Sequence, residues 1–187
     1  MNLQKLFEAQ AELDRHIYEQ HPVEEGENRL QKKMLAMLVE IGECANEFRE
    51  FKYWSNDQTP RTEVLVFAHL TDGRHVQRVE NFVIKELVDI VHFALSIGVD
   101  LHLTKIEPEP VMFANKIEQF NELFAQASYL YLVTKRNGSD IELRDEYVMM
   151  WSIIFGLVGH LGFTWEQVED AYFAKNEENH KRQENGY

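Results

Sequence analysis

Residues 82–97 read Phe82-Val83-Ile84-Lys85-Glu86-Leu87-Val88-Asp89-Ile90-Val91-His92-Phe93-Ala94-Leu95-Ser96-Ile97, apolar except at Lys85, Glu86, Asp89, His92 and Ser96. At about 100° per residue, those five side chains share roughly a third of a helix circumference. A helix this apolar elsewhere is a buried helix. Its polar stripe must then face a cavity, an interface or a partner stripe, because a buried ionised carboxylate without compensation is very costly. Gly98 is the expected end of this helix.

Upstream, Leu30, Met34, Leu38, Ile41, Ala45 and Phe48 recur at helical spacing with no proline between Asn28 and Trp54, which predicts a second long helix over that span. Leu3, Leu6, Phe7, Ala9, Leu13 and Ile17 predict another over residues 2–20, ended by His21-Pro22. Between Thr62 and Val79 the period drops to two, and Asp72-Gly73 favours a two-residue turn, so a short β-hairpin is expected there. Downstream of the stiff Glu107-Pro108-Glu109-Pro110 link, helices are expected over Phe113 to Lys135 and Ile141 to Leu161, and a last one from Thr164. The Thr164-x-x-Gln167 spacing matches a capping box. The fold class is therefore all-α, a bundle of about six helices with an inserted hairpin near 62–79, and residues 1–187 are expected to form one domain.

The chain carries 32 acidic against 19 basic side chains, a formal net charge of −13. Nonspecific attraction to nucleic acid or to an anionic membrane is disfavoured over such a surface, and neither is an expected partner. A polyanionic ligand would need bound cations or clustered Lys and Arg. The lone Cys44 has no internal disulfide partner, and the N-terminal residues interrupt apolar positions with charge too often for a signal peptide or a membrane span. A reducing, cytoplasmic setting is expected.

On the second helix, Glu40, Glu43 and Glu47 form a narrow stripe away from Leu38, Ile41, Ala45 and Phe48. Three glutamates on one helix usually make a solvated face. The acidic stripe on 82–97 changes that balance, since two buried acidic stripes would repel each other. Glu40 and Glu43 facing Glu86 and Asp89 would supply up to eight carboxylate oxygens, hard ligands suited to Mg²⁺ or Mn²⁺. A ferritin-like di-iron site would need two Glu-x-x-His motifs. Asp89-x-x-His92 imitates only one, so oxygen-only coordination with room for phosphates fits better. In the tail, Tyr172, Lys175, Asn179 and Arg182 share one face, either as a local cationic strip or as a solvated helix end favoured by the macrodipole.

These segments resemble the dimeric all-α dUTPase family, within the all-α nucleoside triphosphate pyrophosphatases. The paired motifs of that family are matched by Glu40-Ile41-Gly42-Glu43 and Glu86-Leu87-Val88-Asp89. Further likeness runs through Leu6-Phe7-x-x-Gln10-x-x-Leu13-Asp14, Ala45-Asn46-Glu47 with Phe51-Lys52-Tyr53-Trp54-Ser55, His92 to Gly98, and Tyr172-x-x-Lys175-Asn176-x-x-Asn179-x-x-Arg182. The stretch from Asn56 to Asn81 is longer than the family pattern and looks like an insertion.

The resemblance implies a homodimeric dUTP diphosphatase with Mg²⁺ (or Mn²⁺) held by Glu40, Glu43, Glu86 and Asp89, and with Glu43 as the base. It favours Lys175, Asn179 and Arg182 as phosphate and sugar contacts. Lys52, Trp54, Phe93 and Gln10 are the remaining substrate-binding candidates, though Trp54 could equally cap the core, Phe93 belong to it, and Gln10 be a surface amide. A relative acting on dCTP or modified nucleotides would share the metal motif, and a helical interaction module using the hairpin is the alternative of another class.

Overall fold

The computed structural model describes residues 2–69 and 75–186. Helices α1 (Leu3–Gln20), α2 (Arg29–Phe48), α3 (Phe82–Asp100), α4 (Lys116–Lys135), α5 (Asp140–Leu161) and α6 (Trp165–Glu184) carry the fold, with strands β1 (Val64–His69) and β2 (His75–Glu80) between α2 and α3. It is an all-α bundle with a small antiparallel hairpin, in which Val64 pairs with Glu80 and His69 with His75. The expected Asp72-Gly73 turn lies outside the described residues.

Every helix starts at a short polar residue whose side-chain oxygen accepts a first-turn amide: Asn2, Asn28, Asn81, Asn115, Ser139 and Thr164. Each such cap stabilises by about 1 kcal/mol. Thr164 and Gln167 form the full reciprocal capping box.

Three helix boundaries differ from the sequence expectation by two residues or more, and in the simplest case α4 starts at Lys116, not Phe113, because Asn115 caps it by accepting the Glu118 amide. The second helix stops at Phe48, not Trp54, because Arg49 turns left-handed at φ 68° and its amide closes back on the Ala45 carbonyl. The Arg49 guanidinium then bonds the Asp57 carbonyl at 2.7 Å, folding residues 50–57 into turns. Gly98 lies inside α3 and does not end it. A side chain there would strike the Tyr147 hydroxyl, 2.0 Å from an ideal Cβ, and that hydroxyl donates to the Ala94 carbonyl at 2.8 Å. Glycine at this point permits close approach of α5 instead of a helix stop.

As the apolar pattern of 82–97 demanded, α3 is the innermost helix and packs on α1, α2 and α6. The core draws on all six helices, with Phe7, Met37, Leu87, Leu123, Trp151 and Tyr172 essentially inaccessible. Truncating one of the large aromatic groups would cost about 3–5 kcal/mol.

Candidate metal and substrate site

The packing of α2 against α3 brings the two acidic stripes together. Carboxylate oxygens of Glu40, Glu43 and Glu86 all lie within 4.8 Å of one another. Glu40 and Glu43 are one turn apart on α2, and Glu86 reaches them from the first turns of α3. Burial, followed by the charges of Asp89, Glu43 and Glu86, pushes Glu40 up to about 7, with Lys175 opposing. Burial and the Asp89 and Glu43 charges likewise raise Glu86. These groups hold their negative charge at a cost that a divalent cation would relieve, and an all-oxygen set suits a hard ion.

Asp89 stands a little apart. Its carboxylate is 2.6 Å from the Lys175 ammonium on α6. Burial still raises it, against the pull of Lys175. Glu47, the third member of the α2 stripe, is committed elsewhere. Both of its oxygens accept from one Arg61 nitrogen, at 3.1 and 3.2 Å.

A cavity of about 500 Å³ opens beside the cluster, walled by α1, α2, α3 and α6. Glu40 and Asp89 line its acidic side, while Arg29, Lys32, Lys33, Lys175 and Arg182 place cations around the rest. Its floor is a chain of buried hydrogen bonds. Asp14 accepts from Gln10 Nε2 at 2.8 Å, Ser96 Oγ at 2.6 Å and Lys33 Nζ at 3.2 Å. Lys33 also contacts Asp100 at 2.8 Å and Tyr18 at 2.9 Å. Its ammonium is desolvated by burial, yet the Asp14 and Asp100 charges outweigh that and raise it.

The network settles the orientation of Gln10. A carboxylate receiving three donors must face the amide nitrogen, so Gln10 Oε1 points the other way and accepts from His92 Nδ1 at 2.8 Å and Tyr172 Oη at 3.0 Å. His92 therefore carries its proton on Nδ1. Its Nε2 is buried and, among the described residues, has no partner at hydrogen-bonding distance. Burial, with Lys175 adding to it, lowers His92 to about 3, so the ring is neutral, stacked 4.2 Å from Tyr172.

Among the sequence candidates, Gln10, Glu40, Asp89, Phe93, Lys175, Asn179 and Arg182 all line this cavity, and Glu43 and Glu86 complete the adjoining cluster. Lys52 and Trp54 are not brought in. Trp54 is 65% exposed and packs edge-on against Phe51 and Tyr53, and Lys52 bonds Asn46. Asp14, Tyr18, Arg29, Lys32 and Lys33 line the cavity without having been candidates. Lys33 carried a usable signal, since it lies seven residues before Glu40 and so on the same helix face.

A dUTPase family model matches the chain over residues 2–78 and 75–187, two pieces that meet within β2. That break falls where the hairpin interrupts the helical sequence. No curated protein matches the chain.

Proposed function

The chain belongs to the dUTPase family, and from that premise we propose that it hydrolyses dUTP to dUMP and pyrophosphate, using Mg²⁺, or Mn²⁺ in its place, held by Glu40, Glu43, Glu86 and Asp89. The observation that carries this reading is the junction of a carboxylate cluster with a cation-walled cavity of nucleotide size. When bound, the cation would neutralise triphosphate charge and lower the pKa of a water at the cluster. Glu43 is the exposed member of the cluster and accepts that water's proton at a carboxylate oxygen. Lys175 and Arg182 offset phosphate charge from the α6 wall, Asn179 contacts the sugar or phosphates, and Phe93 packs on the deoxyribose.

Gln10, held in place by His92 and Asp14, supports uracil as the base. With one N–H on Asp14, the amide of Gln10 keeps a second N–H donor whose direction is fixed by the network. That donor suits the carbonyl of uracil and opposes the amino group of cytosine. The chain is also expected to pair as a homodimer, since α2 and α4 expose Leu35, Val39 and Leu132. Sedimentation as a dimer at micromolar concentration supports this, and a clean monomer rejects it.

Turnover of dUTP, dCTP, dTTP and dATP with Mg²⁺, with identification of products, tests the proposal. Preferential conversion of dUTP to dUMP and pyrophosphate is expected. Faster turnover of dCTP, or release of single phosphates, would overturn it.

A further inference from the structure

Away from the cavity, α1 and α6 meet again at a pair of histidines. Nδ1 of His16 lies 2.9 Å from Nδ1 of His180, with ring centroids 5.2 Å apart and planes 23° apart. The nitrogens are far closer than the centroids, so the rings meet edge to edge through those two atoms. One nitrogen donates the shared proton and the other accepts it. Both residues are half-buried at the rim of a surface hollow also lined by Glu12, Arg15, Glu19 and Glu184. Glu12 and Glu19 sit within one turn of His16, and Glu184 within one turn of His180. Arg15, the cation in this hollow, is exposed and stands 3.9 Å from Glu12.

We propose that this hollow is a second metal site, specific for a borderline transition ion such as Zn²⁺, that clamps α1 to α6. Nδ1 of His16 and Nδ1 of His180 are two ligands, and carboxylate oxygens of Glu12, Glu19 or Glu184 with water complete the shell. Zinc–nitrogen bonds of about 2.0–2.1 Å at a tetrahedral angle hold two nitrogens about 3.3 Å apart. Opening the present pair by about 0.4 Å and turning each ring by roughly 35° makes the two lone pairs converge on one ion at the tetrahedral angle, and a change of rotamer brings a glutamate of the hollow to it. The shared proton moves through solvent to Nε2 of the ring that carried it, so both rings stay neutral. Imidazole nitrogen selects Zn²⁺ over Mg²⁺, whereas the carboxylate cluster of the cavity offers oxygen alone. His180 adjoins Asn179, and Arg182 lies half a turn further on, so the clamp fixes the wall of α6 that lines the cavity.

Calorimetric titration of the untagged full chain with ZnCl₂, in saturating MgCl₂, tests the site in wild type and in H16Q, H180Q and E40Q. One Zn²⁺ per chain is expected, with a rise in Tm. Losing a group that merely orients a metal ligand weakens binding about 10- to 100-fold. H16Q and H180Q should each lose at least that much affinity and most of the Tm rise, with unchanged circular dichroism, while E40Q retains both. Zn²⁺ binding that survives both histidine variants, or that disappears in E40Q alone, or absence of binding to wild type, overturns the proposal.

Discussion

The cavity and the hairpin break the usual burial pattern in opposite directions. In the cavity floor, Gln10, Asp14, His92 and Ser96 are polar and at most 6% exposed, and hydrogen bonds join them into one chain. In the hairpin, Leu65, Phe67 and Val79 are apolar and 49%, 69% and 65% exposed. The strands pair with each other, and the end of β2, at Arg78 to Glu80, borders a groove that α3 and α6 also line. The inside polar groups are held to one arrangement because a lost partner leaves a desolvated atom. The outside apolar groups have no such constraint. Substitutions should therefore be severe in one region and mild in the other.

The largest effect belongs to the carboxylates. Glu43→Gln keeps size and hydrogen bonding but cannot take up the water proton, and dUTP turnover should fall by about 10²- to 10⁴-fold with the helical signal intact. Near-normal turnover would return Glu43 to the status of a solvated glutamate. Asp14→Asn comes next. It leaves the orientation of Gln10 undetermined and weakens a buried pair with Lys33, so it should cost about 1–3 kcal/mol in denaturant unfolding. The preference for dUTP over dCTP should also fall by about tenfold. Stability loss with undiminished preference would mean that Gln10 does not read the base.

A smaller effect is the pH dependence of the cation-free protein. Glu40 sits at about 7 in the folded chain, above the usual 4.5, so the native state retains a proton that the unfolded chain has released. Its contribution to stability is complete below about 4.5 and is lost as pH rises through about 7. Thermal melts in chelator should show stability declining over that window, and Mg²⁺ or Glu40→Gln should flatten the decline. A profile that ignores both would contradict the crowding of charge at Glu40. Smallest of all is Phe67→Ser in the hairpin, expected to change stability by less than about 0.5 kcal/mol and to leave turnover unchanged. A larger loss would show that the exposed face is covered in solution.

The same contrast explains what was legible in the sequence. The apolar period of 82–97 and the change of period at Thr62 report local geometry, so the buried α3 and the hairpin followed directly. The grouping of Glu40, Glu43 and Glu86 also followed, since each acidic stripe is local to one helix. Partners supplied from a distance did not. Arg61 takes Glu47, Lys175 takes Asp89, and the left-handed Arg49 ends α2 before Trp54. The role of Gly98 is hidden for the same reason, as the hydroxyl that requires a glycine there belongs to Tyr147, 49 residues away.

The central claim, that the α2–α3 carboxylates cleave dUTP through a divalent cation, is tested most directly by pyrophosphate release across a Mg²⁺ titration in wild type and Glu86→Gln. A carboxylate oxygen of Glu86 lies within 4.8 Å of one from each of the other two acids, and among the described residues no salt bridge ties Glu86 to a separate structural task. The expected result is no release in chelator, saturable activation of wild type, and activation in Glu86→Gln that needs at least about tenfold more Mg²⁺. Undiminished release in chelator, or superimposable Mg²⁺ curves for the two proteins, would contradict the account.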